Sequence, residues 1–252
     1  MDEMSLVDHL TDLRKGILRV LVVLILSMIV GFIGAEPILE YLKTAEPASQ
    51  ITWNVFSPWD AISMYMKFAF IIGLVLTIPM ILFQIWSFVR PGLLPIEQKA
   101  ALLYIPFAVL LFLTGLAFAY FVIFPLAFNF TSGITRNLEF TETYGISQYF
   151  SFMFNILLPM SLLFELPVVV MFLTKIRLFN PLRLRKARKF AYFGLIMTAT
   201  LVTPPDVTSD ILVSIPLLLL YEISVLLSSW IYRKQLAENM ACEEEYGGSL
   251  SQ

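Results

Sequence analysis

The chain has 252 residues, of which 58% are hydrophobic and 14% charged, and its mean hydropathy is +0.80. A soluble domain carries about a quarter charged residues, so this composition excludes a water-soluble surface and indicates a chain whose solvent is lipid. A single cysteine, Cys242, excludes a disulfide within the chain. A single histidine, His9, excludes zinc sites that need several His or Cys ligands.

Six apolar stretches follow in chain order, and each is interpreted as a transmembrane helix because about 20 apolar residues span a bilayer. They are residues 17–34, 62–88, 100–124, 149–174, 190–203 and 211–232. We therefore predict an all-α polytopic membrane protein. Residues 1–16 form a cytoplasmic N-terminus, 17–232 a six-helix bundle, and 233–252 a cytoplasmic tail.

The first stretch also has features of a secretory signal peptide, since Arg14 and Lys15 precede it and Gly34 and Ala35 follow it. Its apolar core is longer than that of a typical signal peptide, so a retained anchor is favoured.

The fifth stretch is short, since its fourteen residues cover about 21 Å as a helix, against a hydrocarbon core of about 30 Å. Three explanations stay open: the preceding basic residues snorkel to the interface, the bilayer thins locally, or the boundary is misplaced.

The orientation of the bundle follows from its basic residues, because Lys and Arg collect on the cytoplasmic side. With the N-terminus inside, 14 of the 17 Lys and Arg fall on inner segments and their flanks. The other three are Lys43, Lys67 and Arg136. This asymmetry predicts that both ends of the chain are cytoplasmic and that the number of spans is even.

Several spans contain polar side chains: Lys67 and Gln84 in the second, Glu165 in the fourth and Glu222 in the sixth. An acidic group at the bilayer centre costs about 2.5–3.5 kcal/mol, so it is expected to face the bundle interior or a wet cavity. Each glutamate either holds the packing as a protonated hydrogen-bond donor or serves a function. Pro167 frees a backbone carbonyl near Glu165 and makes a polar pocket there plausible.

Five prolines lie inside the spans, where each one either bends a helix permanently or forms a hinge. The sequence favours neither reading. They are Pro79, Pro106, Pro159, Pro167 and Pro216.

Two acidic residues lie on short segments at one membrane face: Asp12, before the first span, and Glu97, in the loop after the second. By themselves they are ordinary solvated charges.

A series of short motifs runs along the whole chain in a fixed order. They are His9-Leu10-Thr11-Asp12-Leu13-Arg14, Ser57-Pro58-Trp59-Asp60 with Lys67, Gln84-x-Trp86-x-Phe88, Pro91-Gly92-Leu93 with Glu97, Phe164-Glu165-x-Pro167, Arg185-Lys186, Thr203-Pro204-Pro205-Asp206 and Leu220-Tyr221-Glu222. In this order they resemble the TatC family, the receptor subunits of the twin-arginine protein translocase. The chain departs from the family's pattern at four positions: Asp12 and Asp60 replace Glu, Gly16 replaces Arg, and Asp210 stands where Gln is common.

The resemblance implies that the chain binds signal peptides with two consecutive arginines, carried by folded proteins for export across the cell membrane. Glu97 and Asp12 would receive the two guanidinium groups, with Phe88 and Arg14 in the same site. Arg presents a planar fork that pairs bidentately with a carboxylate, which Lys cannot do. Two charge-assisted pairs at about 1.5–3 kcal/mol each would discriminate by a hundredfold or more.

The resemblance also implies that Glu165, with Gln84 and Glu222, meets single-span partners of the TatA or TatB type inside the membrane. Pro58, Pro91 and Asp206 would shape the connecting loops. The family is driven by the proton-motive force, and a subunit of this kind is expected to form oligomers within a larger complex.

Two other functions compete with this interpretation. A secondary transporter of a small solute would use Glu165, Glu222 and Lys67 as a proton or ion relay, but such folds often show internal repeats and none is visible here. A membrane-embedded enzyme lacks the usual hydrolytic motifs, and no phosphate-binding loop is present. We therefore expect no enzymatic activity, no cofactor or metal, and no nucleic-acid partner.

Overall fold

The computed structural model describes residues 6–89, 104–175, 177–203 and 207–249, which are almost entirely helical. The helices are α1 (Leu6–Thr44), α2 (Pro58–Val89), α3 (Tyr104–Phe118), α4 (Phe124–Asn137), α5 (Ile146–Leu163), α6 (Leu166–Lys175), α7 (Pro181–Val202) and α8 (Val207–Ser249). A π-helical segment, Ala119–Ile123, joins α3 to α4, and a short 3-10 helix covers Ala48–Gln50. The two strands are β1 (Trp53–Asn54) and β2 (Tyr144–Gly145).

These elements make six helical passes in the described part of the chain, because α3 continues into α4 and α5 is separated from α6 only by a kink. Five passes are long and apolar enough to cross a membrane. The sixth, α7, is long enough to cross a membrane, but its N-terminal half is basic. The prediction of an all-α polytopic membrane protein is confirmed.

The helices extend beyond the apolar stretches that predicted them. α1 starts before residue 17 and continues past 34, the third pass continues past 124, and α7 starts nine residues before 190. Hydropathy marks the part of a helix that prefers lipid, whereas backbone hydrogen bonding continues into polar flanks. The short fifth stretch is therefore the apolar half of a 22-residue helix.

α1 and α2 form a close antiparallel pair through small residues. A Cβ added to Gly31 would lie 2.7 Å from the carbonyl oxygen of Ala69, and one added to Gly73 would lie 2.8 Å from the Met28 side chain. Without a hydrophobic force between helices in lipid, such close backbone approach supplies the packing.

The α1–α2 and α4–α5 connections meet at one end of the bundle. β1 pairs in parallel with β2, with Trp53 opposite Tyr144 and Asn54 opposite Gly145. Beneath this pairing, the Trp53 ring stacks on Phe150 with centroids 5.7 Å apart. Aromatic packing of this kind holds the two connections together.

At the other end of the bundle, α8 packs against α6 through buried polar contacts. The hydroxyls of Thr174 and Ser228 lie 2.6 Å apart, and the Gln235 amide donates to the carbonyl of Lys175 at 2.8 Å. These contacts fix the position of α6, on which the intramembrane site described below depends.

Candidate functional site

The first candidate site lies at the end of the bundle where α1 begins and α2 ends. Gly16 of α1 is buried against the side chain of Gln84, whose Nε2 would lie 2.6 Å from a Cβ at position 16. In the antiparallel pairing, Gly16 faces Gln84, just as Gly31 faces Ala69. The same register sets Asp12 level with Phe88, one residue before α2 ends.

The structure therefore brings three of the residues predicted to bind the signal peptide to one end of the α1–α2 pair. Asp12 and Arg14 are exposed, and Phe88 is half-buried.

Three predicted residues, Glu97, Pro91 and Asp206, lie outside the described residues. Three positions before Asp206, the Thr203 hydroxyl donates to the Asp210 carboxylate at 2.8 Å. This bond joins the end of α7 to the first turn of α8.

Pro58 begins α2 within a capping arrangement. The Trp59 N–H donates to the Ser57 hydroxyl at 3.3 Å, and the Asp60 carboxylate accepts from the N–H groups of Phe56 and Ser57 at 3.1 and 3.0 Å. A Ser-x-x-acid pattern with Pro in the first helical position satisfies the free N–H groups of a helix start. The Asp that replaces the family's Glu performs this role, so the motif caps the start of α2 in this chain. The loop-shaping role predicted for Pro58 stays a prediction.

The second candidate site is the kink between α5 and α6 at Glu165. Its N–H bonds to the carbonyl of Leu162 at 3.1 Å, three residues back, and Pro167 has no N–H to give to Leu163. Both carboxyl oxygens of Glu165 are buried and have no hydrogen-bond partner among the described residues. A buried polar group left unpaired costs about 1–3 kcal/mol, so a donor on an incoming helix would be stabilised here.

One helical turn after Glu165, an apolar groove of about 240 Å³ lies between α2, α3 and α6. Its walls include Leu82 and Trp86 of α2, Ile105 of α3 and Phe172 of α6. Gln84, predicted for the same partner surface, lies on the α1 side of α2, and its Oε1 is buried and unpaired among the described atoms. Gln84 therefore has one buried acceptor oxygen and Glu165 has two without a partner among the described residues, the first residue on α2 and the second at the α5–α6 kink.

Glu222 of α8 is engaged within the chain. Its carboxylate accepts from an Arg188 terminal nitrogen at 2.7 Å and from the Tyr192 hydroxyl. The Tyr192 ring packs edge-on against Tyr221, at 5.7 Å between centroids. This geometry favours packing between α7 and α8, and a partner-binding role for Glu222 stays a prediction. Sequence reasoning missed both partners, although their four-residue spacing places them on one face of a helix.

Lys67 of α2 points to α5. Its ammonium donates to the Ser151 hydroxyl at 2.6 Å and lies 3.5 Å from that of Ser147, which is 3.1 Å from Ser63. No contact among the described residues joins Lys67 to Glu165 or Glu222. The relay proposed for a solute transporter therefore has no continuous path in the described part of the chain.

A further polar cluster lies beyond the C-terminal half of α4. The Glu142 carboxylate accepts from the Ser132 hydroxyl at 2.5 Å and from Nε of Arg136 at 3.1 Å. The hydrogen bond from Ser132, with help from Arg136, holds the pKa of Glu142 below its ordinary value. Sequence reasoning did not single out these three residues.

Comparison with known proteins identifies the family. Residues 8–216 match the family model described as Sec-independent protein translocase protein (TatC). The chain belongs to the TatC family. It is 44% identical over 248 residues to the TatCy protein of Bacillus subtilis (strain 168), covering 98% of each chain. It is 33% identical over 241 residues to the TatC protein of Escherichia coli (strain K12), covering 92% of this chain and 91% of the relative.

Solved structures agree with this assignment. A crystal structure titled twin arginine translocase receptor TatC in DDM matches with a TM-score of 0.75 and 30% identity, covering 87% of this chain and 99% of that one. A second crystal structure of that receptor matches with a TM-score of 0.73 and 29% identity, covering 88% of this chain and 99% of that one.

Membership of the TatC family makes the chain a multi-pass membrane component of the Sec-independent, twin-arginine protein translocase. Its function is protein transport, and the family is not one of enzymes. The comparisons support this interpretation and not the alternative of a small-solute transporter.

Proposed function

We propose that this TatC protein is the receptor subunit of its translocase and that the end of the α1–α2 pair binds twin-arginine signal peptides of folded proteins. The observation that carries the proposal is the α1–α2 register. It sets the exposed carboxylate of Asp12 level with Phe88, where α2 leads into the segment that contains Glu97.

The second carboxylate belongs to Glu97, which lies outside the described residues and eight positions after Val89 in the sequence. Eight steps along the chain span at most about 28 Å, which limits how far Glu97 can lie from the end of α2. In our proposal a peptide lying across the end of the pair meets both carboxylates with two neighbouring arginines. Phe88 would offer an apolar surface to the peptide, and Arg14 a donor for its carbonyl groups.

The discrimination between Arg and Lys follows from the chemistry of the two carboxylates. Each guanidinium can form two parallel hydrogen bonds with a carboxylate, whereas an ammonium acts as a point charge. An arginine therefore gains one charge-assisted bond over a lysine at each carboxylate. At about 1.5–3 kcal/mol for each such bond, the two carboxylates together supply about 3–6 kcal/mol of discrimination.

We place this end of the bundle in the cytoplasm and the bundle in the cell membrane. Among the 17 Lys and Arg, 14 lie on the segments that this orientation makes cytoplasmic. In this arrangement residues 1–16 and 233–252 are cytoplasmic and 17–232 hold the six spans.

Inside the membrane, Glu165 would recruit a single-span partner of the TatA or TatB type. Its carboxyl oxygens are buried and unpaired among the described atoms, and the apolar groove beside it has walls from three helices. A polar group on the partner would pair with Glu165 while its apolar face fills the groove. Such a bond contributes about 0.6–2 kcal/mol, which suits reversible assembly.

Site-specific crosslinking of a twin-arginine signal peptide to membranes containing the chain tests the first role. Glu97→Ala and Asp12→Asn should each weaken crosslinking, and Glu40→Gln, at the opposite end of α1, should leave it unchanged. Unchanged crosslinking in Glu97→Ala and Asp12→Asn would refute the assignment of the site.

Co-purification with a tagged single-span partner tests the second role. Glu165→Ala should reduce recovery of the partner while sparing signal-peptide crosslinking, because the two sites are on different helices. Leu162→Ala, an exposed neighbour on α5, is the matched control. Normal recovery with Glu165→Ala would refute this role and leave the first standing.

A further inference from the structure

One face of the third pass changes along its length from apolar to polar. Beside α3, an apolar cavity of about 450 Å³ lies between α1, α2, α3 and α5. Beside α4, a polar cavity of about 480 Å³ lies between the end of α1 and α4. Tyr120 and Phe121 line both cavities, so the two are adjacent parts of one groove.

The π-helical segment Ala119–Ile123 lies where the two cavities meet. A single π turn adds a residue to a helix and so re-aims the residues that follow it, and such turns are frequent at functional sites. After it, the face that lines the polar cavity consists of Pro125, Phe128, Asn129, Ser132 and Arg136. The third pass therefore presents an amphipathic groove without a break in the helix.

Two charged side chains of the polar cavity, Arg136 and Glu46, have groups available to bind a ligand. Arg136 uses only Nε for Glu142, and its terminal nitrogens have no partner among the described residues, while its side chain is 75% exposed. Glu46 is exposed, lines the same cavity, and has no hydrogen bond or ion pair with any described residue. With Glu142 included, the charged groups of this cavity sum to −1.

We propose that this groove binds a phospholipid whose headgroup carries a primary ammonium, with an acyl chain in the apolar cavity. The phosphate would accept hydrogen bonds from the terminal nitrogens of Arg136, since guanidinium pairs well with phosphate. The ammonium would donate to the Glu46 carboxylate. Tyr41 and Tyr120 also line this cavity, and aromatic rings of this kind attract cations. Leu113 and Leu116 line the apolar cavity in which the chain would lie.

The charges of the cavity select the headgroup. Its net charge of −1 disfavours a headgroup that carries only a phosphate charge. A choline headgroup has the positive charge but no N–H to give to Glu46. A primary ammonium combines both features, because it carries the positive charge and has N–H groups that the Glu46 carboxylate can accept.

Native mass spectrometry of the full chain in detergent tests the proposal, with palmitoyl-oleoyl phosphatidylethanolamine, phosphatidylcholine and phosphatidylglycerol added in turn. We expect the ethanolamine lipid to be retained about tenfold better than the other two, because charge-assisted bonds to its ammonium are strong. Glu46→Gln should remove that preference. Glu40→Gln, the same change on α1 away from the groove, should keep it.

A second pair of variants tests the apolar part. Leu113→Trp should fill the cavity and lower retention of every lipid, while Leu110→Trp, exposed on the same helix outside the groove, should not. The melting temperature of each variant in detergent shows whether it has folded.

The proposal is overturned if the three lipids are retained equally, or if Glu46→Gln and Glu40→Gln behave alike in folded protein. It is also overturned if Leu113→Trp leaves lipid retention unchanged but weakens binding of a single-span partner, since the groove would then belong to a protein helix.

Discussion

The close contact between α1 and α2 at Gly31 yields a quantitative prediction with an internal control. Gly31→Ala places a Cβ 2.7 Å from the carbonyl oxygen of Ala69, a backbone atom that cannot rotate away. Gly34, three residues further along α1, has nothing within 4 Å of the same added atom. The two substitutions share their chemistry and their helix, and differ only in what the new methyl group meets.

The magnitude follows from this difference. Replacing Gly by Ala within a helix stabilises it by about 0.5–1 kcal/mol, and both variants gain this amount. Overpacking adds about 1–3 kcal/mol of strain, and only Gly31→Ala incurs it. Gly34→Ala should therefore be more stable than the wild-type protein, and Gly31→Ala less stable than Gly34→Ala by about 1–3 kcal/mol.

Thermal unfolding in detergent, followed by the fluorescence of the four tryptophans, measures this order. At about 2–4 °C per kcal/mol, the two variants should melt at least about 2 °C apart. Equal melting temperatures, or a Gly31→Ala protein that melts higher, would show that α1 and α2 do not approach as closely as the structure has them.

Three other predictions concern single contacts. In a double-mutant cycle, Arg188→Ala and Glu222→Gln should be coupled by about 1 kcal/mol in detergent unfolding, because the pair is charged but part-exposed; additive effects would contradict the pairing. The pKa of Glu142 is lowered in the folded protein from its ordinary value of 4.5, so its ionised form stabilises the fold above pH 4.5. This stabilisation is lost as the pH falls through the lower pKa of the folded state. Glu142→Gln should therefore melt below wild type at pH 7 by a margin that shrinks on acidification; a margin independent of pH would refute this. Asp60→Ala should cost about 1 kcal/mol through loss of the α2 cap, with Asp60→Glu restoring much of it; equal melting of Asp60→Ala and wild type would argue against the cap.

The number of passes and their order were predictable because lipid requires long apolar stretches. The ends of the helices were not, since hydrogen bonding continues where hydropathy stops, as in the basic half of α7. The prolines show a related limit. Of the five prolines predicted to lie inside spans, Pro79, Pro159 and Pro216 are in helices that continue past them and Pro106 is in the first turn of α3, whereas Pro167 coincides with the break at Glu165.

The candidate sites were predictable only in part. Glu165 stands out in the sequence as an acidic residue inside a span, whereas Asp12 gains a role only through the resemblance to the TatC family. The structure adds the helix register and the unpaired oxygens that bear on these two roles. Glu222 shows what a single sequence does not contain, because its pairing with Arg188 depends on which faces of two helices meet. The π segment that shapes the lipid groove likewise has no periodic pattern in the sequence that predicts it.

The central proposal is that two carboxylates at the cytoplasmic end select paired arginines, and binding of synthetic signal peptides to the purified protein measures this directly. Wild-type protein should bind a peptide with two arginines about a hundredfold more tightly than the same peptide with two lysines. The Asp12→Asn, Glu97→Gln double variant should bind the two peptides with nearly equal, weak affinity. Full discrimination by the double variant would contradict the proposal.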